Sequence, residues 1–231
     1  MIYITGDTHR DFSHIHQFCK EHDTKAWKDV MIILGDAGIN YFGDHRDEEF
    51  KQYLSKIPIA FFCIHGNHEM RPWHIKNTTL LEYQGDLVYT DPVCGNVCYA
   101  IDGNVYDFAG HRCLVIGGAY SVDKYYRLQS GYRWLSDEQP TKEIKQSVME
   151  AIDCDKSIDV VLSHTCPYKY IPREMFLSGV DQSTVDDSTE RFLDTVEETA
   201  NYQKWYCGHW HTEKTIDRMR FMFRDIALFG G

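Results

Sequence analysis

Residues 59–71 read "IAFFCIHGNHEMR". An unbroken apolar run ends at Ile64 and gives way at once to His65, Gly66, Asn67, His68 and Glu69. A short, continuous apolar run bounded by a turn signal reads as a strand buried on both faces. A plain turn accounts for Gly66 and Asn67. It leaves the imidazole and the carboxylate that follow without a reason.

The same event recurs along the chain. Residues 1–5 lead into Gly6-Asp7-Thr8-His9, and residues 30–34 into Gly35-Asp36. Residues 158–162 lead into Ser163-His164, and residues 204–207 into Gly208-His209-Trp210-His211. Each apolar, strand-like run ends in Asp, Asn or His, and four of the five exits carry a glycine. Between the early runs, residues 12–21 and 47–57 space their apolar residues for one helical face, as do 141–152 and 186–202 further on. Alternating strand and helix implies parallel strands joined by crossover helices, an α/β fold. Residues 86–120 are different: short strand-like pieces, with 105–108 and 113–116 forming a hairpin. Residues 214–217 and 220–224 predict a closing hairpin. No Pro/Gly/Ser-rich linker divides the sequence, which predicts one domain over residues 1–231.

Apolar residues make up 43% of the 231, enough for a substantial core, so disorder is excluded. The formal net charge of −11 disfavours long nucleic acid and anionic membrane as partners. No run approaches the roughly 18 apolar residues of a membrane helix. Residues 1–5 read as a strand rather than a leader, and the eight dispersed cysteines then read as reduced thiols. These features predict a cytoplasmic protein. Cys94 and Cys98 form the only close pair, and two thiols do not complete a structural zinc site.

In open α/β sheets ligands bind beyond the carboxyl ends of the strands. That rule brings Asp7, His9, Asp36, Asn67, His164, His209 and His211 to one rim. Two carboxylates, one amide oxygen and four imidazoles form a mixed oxygen and nitrogen set. It suits divalent Mn, Fe, Zn, Co or Ni rather than the all-oxygen cages of Ca²⁺ or Mg²⁺. Seven ligands exceed what one ion with an open position takes, and suit two ions sharing a carboxylate.

As a complete set these motifs resemble the signature of the calcineurin-like metallophosphoesterase superfamily: Asp7-Thr8-His9, Gly35-Asp36, Gly66-Asn67-His68-Glu69, His164 and Gly208-His209-Trp210-His211. The resemblance implies a four-layer α/β/β/α sandwich, a mixed central β-sandwich flanked by helices. It implies that Asp7, His9 and His211 hold one metal, that Asn67, His164 and His209 hold the second, and that Asp36 bridges them. Two divalent transition metal ions, with Mn the readiest to support activity, would clamp an in-line displacement by a metal-bound hydroxide. His68, which is no ligand in the family pattern, would be the catalytic residue, protonating the leaving oxygen or steadying the phosphate. The implied activity is hydrolysis of a phosphate monoester or diester, with a small phosphorylated molecule or nucleotide as partner. The alternatives are a phosphodiesterase or nuclease acting on nucleotides or single-stranded nucleic acid, and a non-catalytic interaction module on the same fold. A non-catalytic relative should have lost ligands or His68, and all are present.

The sequence departs from the Ser/Thr protein phosphatase branch of that superfamily at one place. Where that branch has an Asp that orients the catalytic His and an Arg that clamps phosphate, this chain has Ile39 and Asn40. Asn40, Asp44 and Glu69 are then the candidates to orient His68. Substrate contacts are expected from Arg71 and from the loop that carries Tyr120, Lys124 and Arg127. Tyr168 and Trp210 are expected to wall the pocket. Residues 181–184 either cap the following helix or fold over the site.

Overall fold

Every apolar run that precedes a ligand motif is a strand. In the computed structural model, which describes residues 1–154 and 157–230, β1 (Ile2–Thr5), β2 (Val30–Ile33) and β3 (Ala60–Cys63) are parallel neighbours. Their register sets Ile4 beside Ile32, and Ile32 beside Phe62. All four residues of β2 and of β3 are buried, which is why these strands read as continuous apolar runs rather than alternating ones. The helices between them are α1 (Ser13–Glu21) and α2 (His45–Leu54). Helix α2 starts two residues before its apolar periodicity because the Asp44 side chain caps it, accepting from Arg46 N at 3.0 Å.

The first sheet continues through β6 (Val97–Tyr99), β5 (Asp86–Thr90) and β4 (Thr79–Tyr83) on one side and β13 (Ala227–Leu228) on the other, in the order β13-β1-β2-β3-β6-β5-β4. The second sheet contains β7 (Val105–Phe108), β8 (His111–Ile116), β9 (Val160–Ser163), β10 (Lys204–Cys207), β11 (Lys214–Ile216) and β12 (Met219–Phe221). Its order is β11-β12-β10-β9-β8-β7, with β8, β9, β10 and β12 parallel. The expected hairpins at β7–β8 and β11–β12 are both antiparallel pairs.

Three groups of buried residues show the layering. One lies between the sheets and joins Ile32, Leu34 and Phe62 of the first to Tyr106, Val115, Leu162 and Tyr206 of the second. Another packs the outer face of the first sheet under α1 and α2, through Phe12, Ile15, Leu54 and Phe61. A third packs the outer face of the second sheet under α4 (Lys142–Asp153) and α5 (Ser188–Thr199), through Val148, Leu193, Val196 and Trp205. This is the α/β/β/α sandwich expected from the sequence.

Three elements escape a reading by apolar pattern. Strand β4 has four exposed residues out of five and no buried face; a Gln84-Gly85 turn with both φ positive (54° and 85°) pairs it with β5. Helix α3 (Lys124–Ser130) buries no residue and stops at Gly131 in the left-handed conformation. Strand β13 (Ala227–Leu228) is two residues long and returns the chain to the first sheet, antiparallel to β1. No helix among the described residues is long and apolar enough to cross a membrane.

Candidate metal centre and active site

The carboxyl ends of β1, β2 and β3 meet those of β9 and β10 at one rim of the sandwich. Asp7, Asp36 and Asn67 come from the first sheet, and His164, His209 and His211 from the second. The two sheets are stitched together there. His164 Nδ1 donates to the Leu34 carbonyl at 2.8 Å, and His209 N donates to Asp7 Oδ1 at 2.8 Å. His68 N donates to Asp36 Oδ1 at 2.8 Å.

The backbone at this rim sits in unusual conformations. His9, Asp36, His209 and His211 all have positive φ, between 46° and 66°. Non-glycine residues rarely adopt this region, and such outliers gather at sites where the surrounding structure over-determines them. Gly66 has a different role from the one its sequence context suggests. A Cβ there would run into the Asp36 backbone nitrogen and carboxylate, so the glycine makes room for Asp36 and not only for a turn.

The ligand atoms face one another. His9 Nε2 and His211 Nε2 are 2.8 Å apart, and Asp7 Oδ2 lies 3.2 Å from His211 Nε2 and 3.6 Å from His9 Nε2. Among the described residues, Asp7 Oδ2 is a buried oxygen without a hydrogen-bond donor. His164 Nδ1 donates to the Leu34 carbonyl, and its Nε2 faces Asn67 Oδ1 at 2.8 Å. Asn67 Nδ2 donates to Ser121 Oγ at 2.9 Å, and this points the amide oxygen at His164. An imidazole nitrogen and an amide oxygen this close are placed to hold one cation together. The ligand atoms of Asp7, His9 and His211 lie within 4.8 Å of one another, as do those of Asp7, Asp36 and His164. The His209 ring packs against the His164 ring at 5.0 Å.

The protonation states of Asp7, Asp36 and His209 agree, while the contact with Asp7 raises the pKa of the His211 imidazole. Burial opposes ionisation of Asp7 and Asp36, yet both carboxyls are held below the usual range, Asp7 by the His211 contact and neighbouring imidazoles, Asp36 by His68, His164 and His9. Burial, and then His164, push the His209 imidazole down to about 3. Ionised carboxylates and neutral imidazoles are the forms that bind metal. The residues present therefore fit divalent transition metal ions.

His68 lies beside this set, its Nε2 3.1 Å from Asn67 Nδ2 and 3.8 Å from Asp36 Oδ2. None of the three candidate orienters reaches it. Asn40 Nδ2 donates to Tyr99 Oη at 2.7 Å, and Asp44 caps α2. Glu69 accepts from Gly66 N and Gly38 N, both at 3.0 Å, and so ties the Asp36 loop to the Asn67 loop. Ile39 is fully buried under α1 and α2. The neighbour of His68 is Arg127, whose Nη2 is 3.5 Å from Nε2. Arg127 is braced by Asp123 (2.7 Å) and Tyr41 (2.8 Å). The cation that loop 36–40 lacks thus arrives from α3. Burial lowers the His68 pKa, Asp36 raises it and Arg127 lowers it further, for a net fall.

Two expected substrate contacts lie elsewhere. Arg71 is 1% exposed and ion-paired with Asp102, which also accepts from Gly117 N. It braces the loop at 117–121 and lines neither cavity at the rim. Lys124 stacks on Trp134, its Nζ 4.2 Å from the ring, and lines neither cavity at the rim. Tyr120, Tyr168 and Trp210 do line the larger cavity, and Arg127 lines the smaller one with His9, His68 and His211. Asp181 accepts from Ser183 and closes its own short turn, while Gln182 lines the larger cavity: residues 181–184 fold over the site.

Sequence reasoning missed one relay. Ser121, which fixes the Asn67 amide, donates from Oγ to Glu138 Oε2 at 2.6 Å, and Trp134 Nε1 donates to the same oxygen at 2.8 Å. No motif marks Ser121 or Glu138, and only the fold brings them together 17 residues apart. Comparison with curated proteins returned no match. The family model of the calcineurin-like phosphoesterases matches residues 1–213. With its two-sheet sandwich and a rim of metal-binding side chains, the chain belongs to the calcineurin-like phosphoesterase family, whose members are generally metal-dependent hydrolases of phosphoesters.

Proposed function

We propose that the protein hydrolyses phosphate esters at a dinuclear centre, with Asp7, His9 and His211 holding one ion, Asn67, His164 and His209 the other, and Asp36 between them. The observation that carries this reading is the convergence of His164 Nε2 and Asn67 Oδ1, 2.8 Å apart, on the cluster of Asp7, Asp36 and His164. Two ions held there would supply an activated water and neutralise charge on the phosphoryl oxygens. The chain's own groups do the rest. Asp36 accepts the His68 backbone N–H, so the residue that holds metal also places the residue that meets substrate. His68 stands at the junction of the two cavities, where it donates a proton to the leaving oxygen or a hydrogen bond to the phosphoryl group. Arg127, beside it, pairs with a phosphoryl oxygen and orients the ester.

The test is metal content together with turnover. The purified protein should bind close to two equivalents of Mn²⁺ and hydrolyse an aryl phosphate or a bis-aryl phosphate only when loaded. His68→Ala should cut turnover by about 10²–10⁴-fold with metal content intact. Loss of metal in that variant, or an inactive Mn²⁺-loaded wild type, overturns the assignment.

A further inference from the structure

The two cavities that meet at His68 differ in kind. The smaller holds His9, Arg10, Tyr41, Phe42 and Arg127, and so carries two guanidinium groups. The larger, about 460 Å³, begins at Asp36, Asn67, His209 and His211 and runs under residues 168–185. Its far wall is apolar: Ile171, Met175, Phe176, Leu177, Val180 and Val185. Trp210, 6.1 Å from the Phe176 ring, and Tyr120 close it from the rim side. A chamber of this size takes a ligand well beyond a bare phosphate.

Its charges say what that ligand lacks. Among the described residues Arg173 is the one Lys or Arg in the lining, and its guanidinium leans on the Tyr168 ring, 5.8 Å from the centroid. The remaining charged lining is acidic: Asp36 of the metal rim, then Asp123, Asp187 and Glu190. Asp123 is paired with Arg127 and Asp187 with Arg191, while Glu190 accepts from Thr165 Oγ1 at 2.8 Å. A second phosphate or a carboxylate on the substrate would leave water for apolar carbon there, with Arg173 the one Lys or Arg in the described lining to meet it. An uncharged apolar group carries no such cost and would remove apolar wall from water as it bound.

We infer that the substrate is a phosphoester whose organic group is large, apolar or aromatic and uncharged, seated in the chamber walled by residues 171–185. The inference rests on the proposed phosphoesterase reading for the position of the phosphoryl group at the rim. It does not rest on turnover, so binding tests it separately. Phenyl phosphonate and biphenylyl phosphonate, both resistant to hydrolysis, are titrated calorimetrically into the Mn²⁺-loaded protein. The biphenylyl compound should bind about tenfold tighter or more, because its second ring enters the chamber. Leu177→Asp and Val180→Asn, each confirmed folded by its melting transition, should bring the ratio of the two affinities close to one. Leu177 is 61% exposed, so its replacement spares the core. Equal affinities in the wild type, a ratio unmoved in both variants, or tighter binding of adenosine monophosphate than of the biphenylyl compound each overturn the inference. Binding with the expected preference but no turnover of either phosphate ester upholds the chamber and sinks the hydrolase reading instead.

Discussion

The metal rim and the chamber wall meet at the same cavity, and they are held by opposite means. The rim is tied over long sequence distances: His209 N to Asp7, His164 to Leu34, and Glu69 to Gly38. The wall at 168–185 is built largely from its own short turns, Tyr170 N to Pro167 O, Met175 N to Pro172 O and Thr184 N to Asp181 O, with ties outward through Lys169 to Glu197 and Lys214 to Glu174. Backbone in the rim is forced into positive φ by what surrounds it; the wall carries half-exposed Met175 and exposed Leu177. The difference separates two tasks. Chemistry needs fixed ligand geometry and draws on both sheets for it. Selection of the organic group needs shape alone, and local turns supply that.

The strongest way to break the contrast is at the rim. Asp36→Ala removes the carboxylate that receives the His68 backbone and lies 3.8 Å from both His68 Nε2 and His164 Nε2. Turnover should fall by about 10³-fold or more, with loss of stoichiometric metal, while wall substitutions leave metal content unchanged. Retention of both ions by Asp36→Ala would remove the bridging assignment. Metal analysis and turnover on the same preparation read both.

A smaller effect is expected one shell out. Ser121→Ala frees the Asn67 amide to turn its oxygen away from His164, and should weaken the second ion by about 10–100-fold. Competition against a chelator of known affinity measures this. An unchanged affinity would mean that packing alone holds Asn67.

The mildest test sits where rim and wall join. Glu190 is buried, and burial pushes its carboxyl up to about 7. In the unfolded chain the group returns to about 4.3. Between those values the folded chain keeps a proton that the unfolded chain has released. The stability is fully present below the lower value and is lost as pH rises through the upper one. Glu190→Gln should flatten that fall, by about 2 kcal/mol between pH 5 and pH 8 in urea unfolding. Parallel curves for the two proteins would move the pH dependence to another group.

The gathering of the Asp, Asn and His side chains at one rim was legible because each follows a run that reads as a buried strand. β2 and β3 bury all their residues, and parallel pairing then forces their exits to one side. Helix α3 and strand β4 were not legible, since neither buries a face whose period could be read. Arg71 misled for a related reason. Its position four residues past Asn67 suggested a phosphate contact, but Asp102, the acid that claims its charge, comes from a separate part of the fold.

Sequence alone determined the family signature, through it the expected layer order, and, through strand burial and alternation with helices, the side chains that gather at the rim. Tertiary structure decided who stands beside His68. Position 39 is a core isoleucine, the three local candidates turn elsewhere, and the neighbouring cation is Arg127, delivered from a helix 59 residues on. Tertiary structure also decided that the cavity is apolar on one side and polar on the other. A charge or a wall at a site depends on which distant segment packs there, and packing between segments far apart in the chain leaves no period in the sequence.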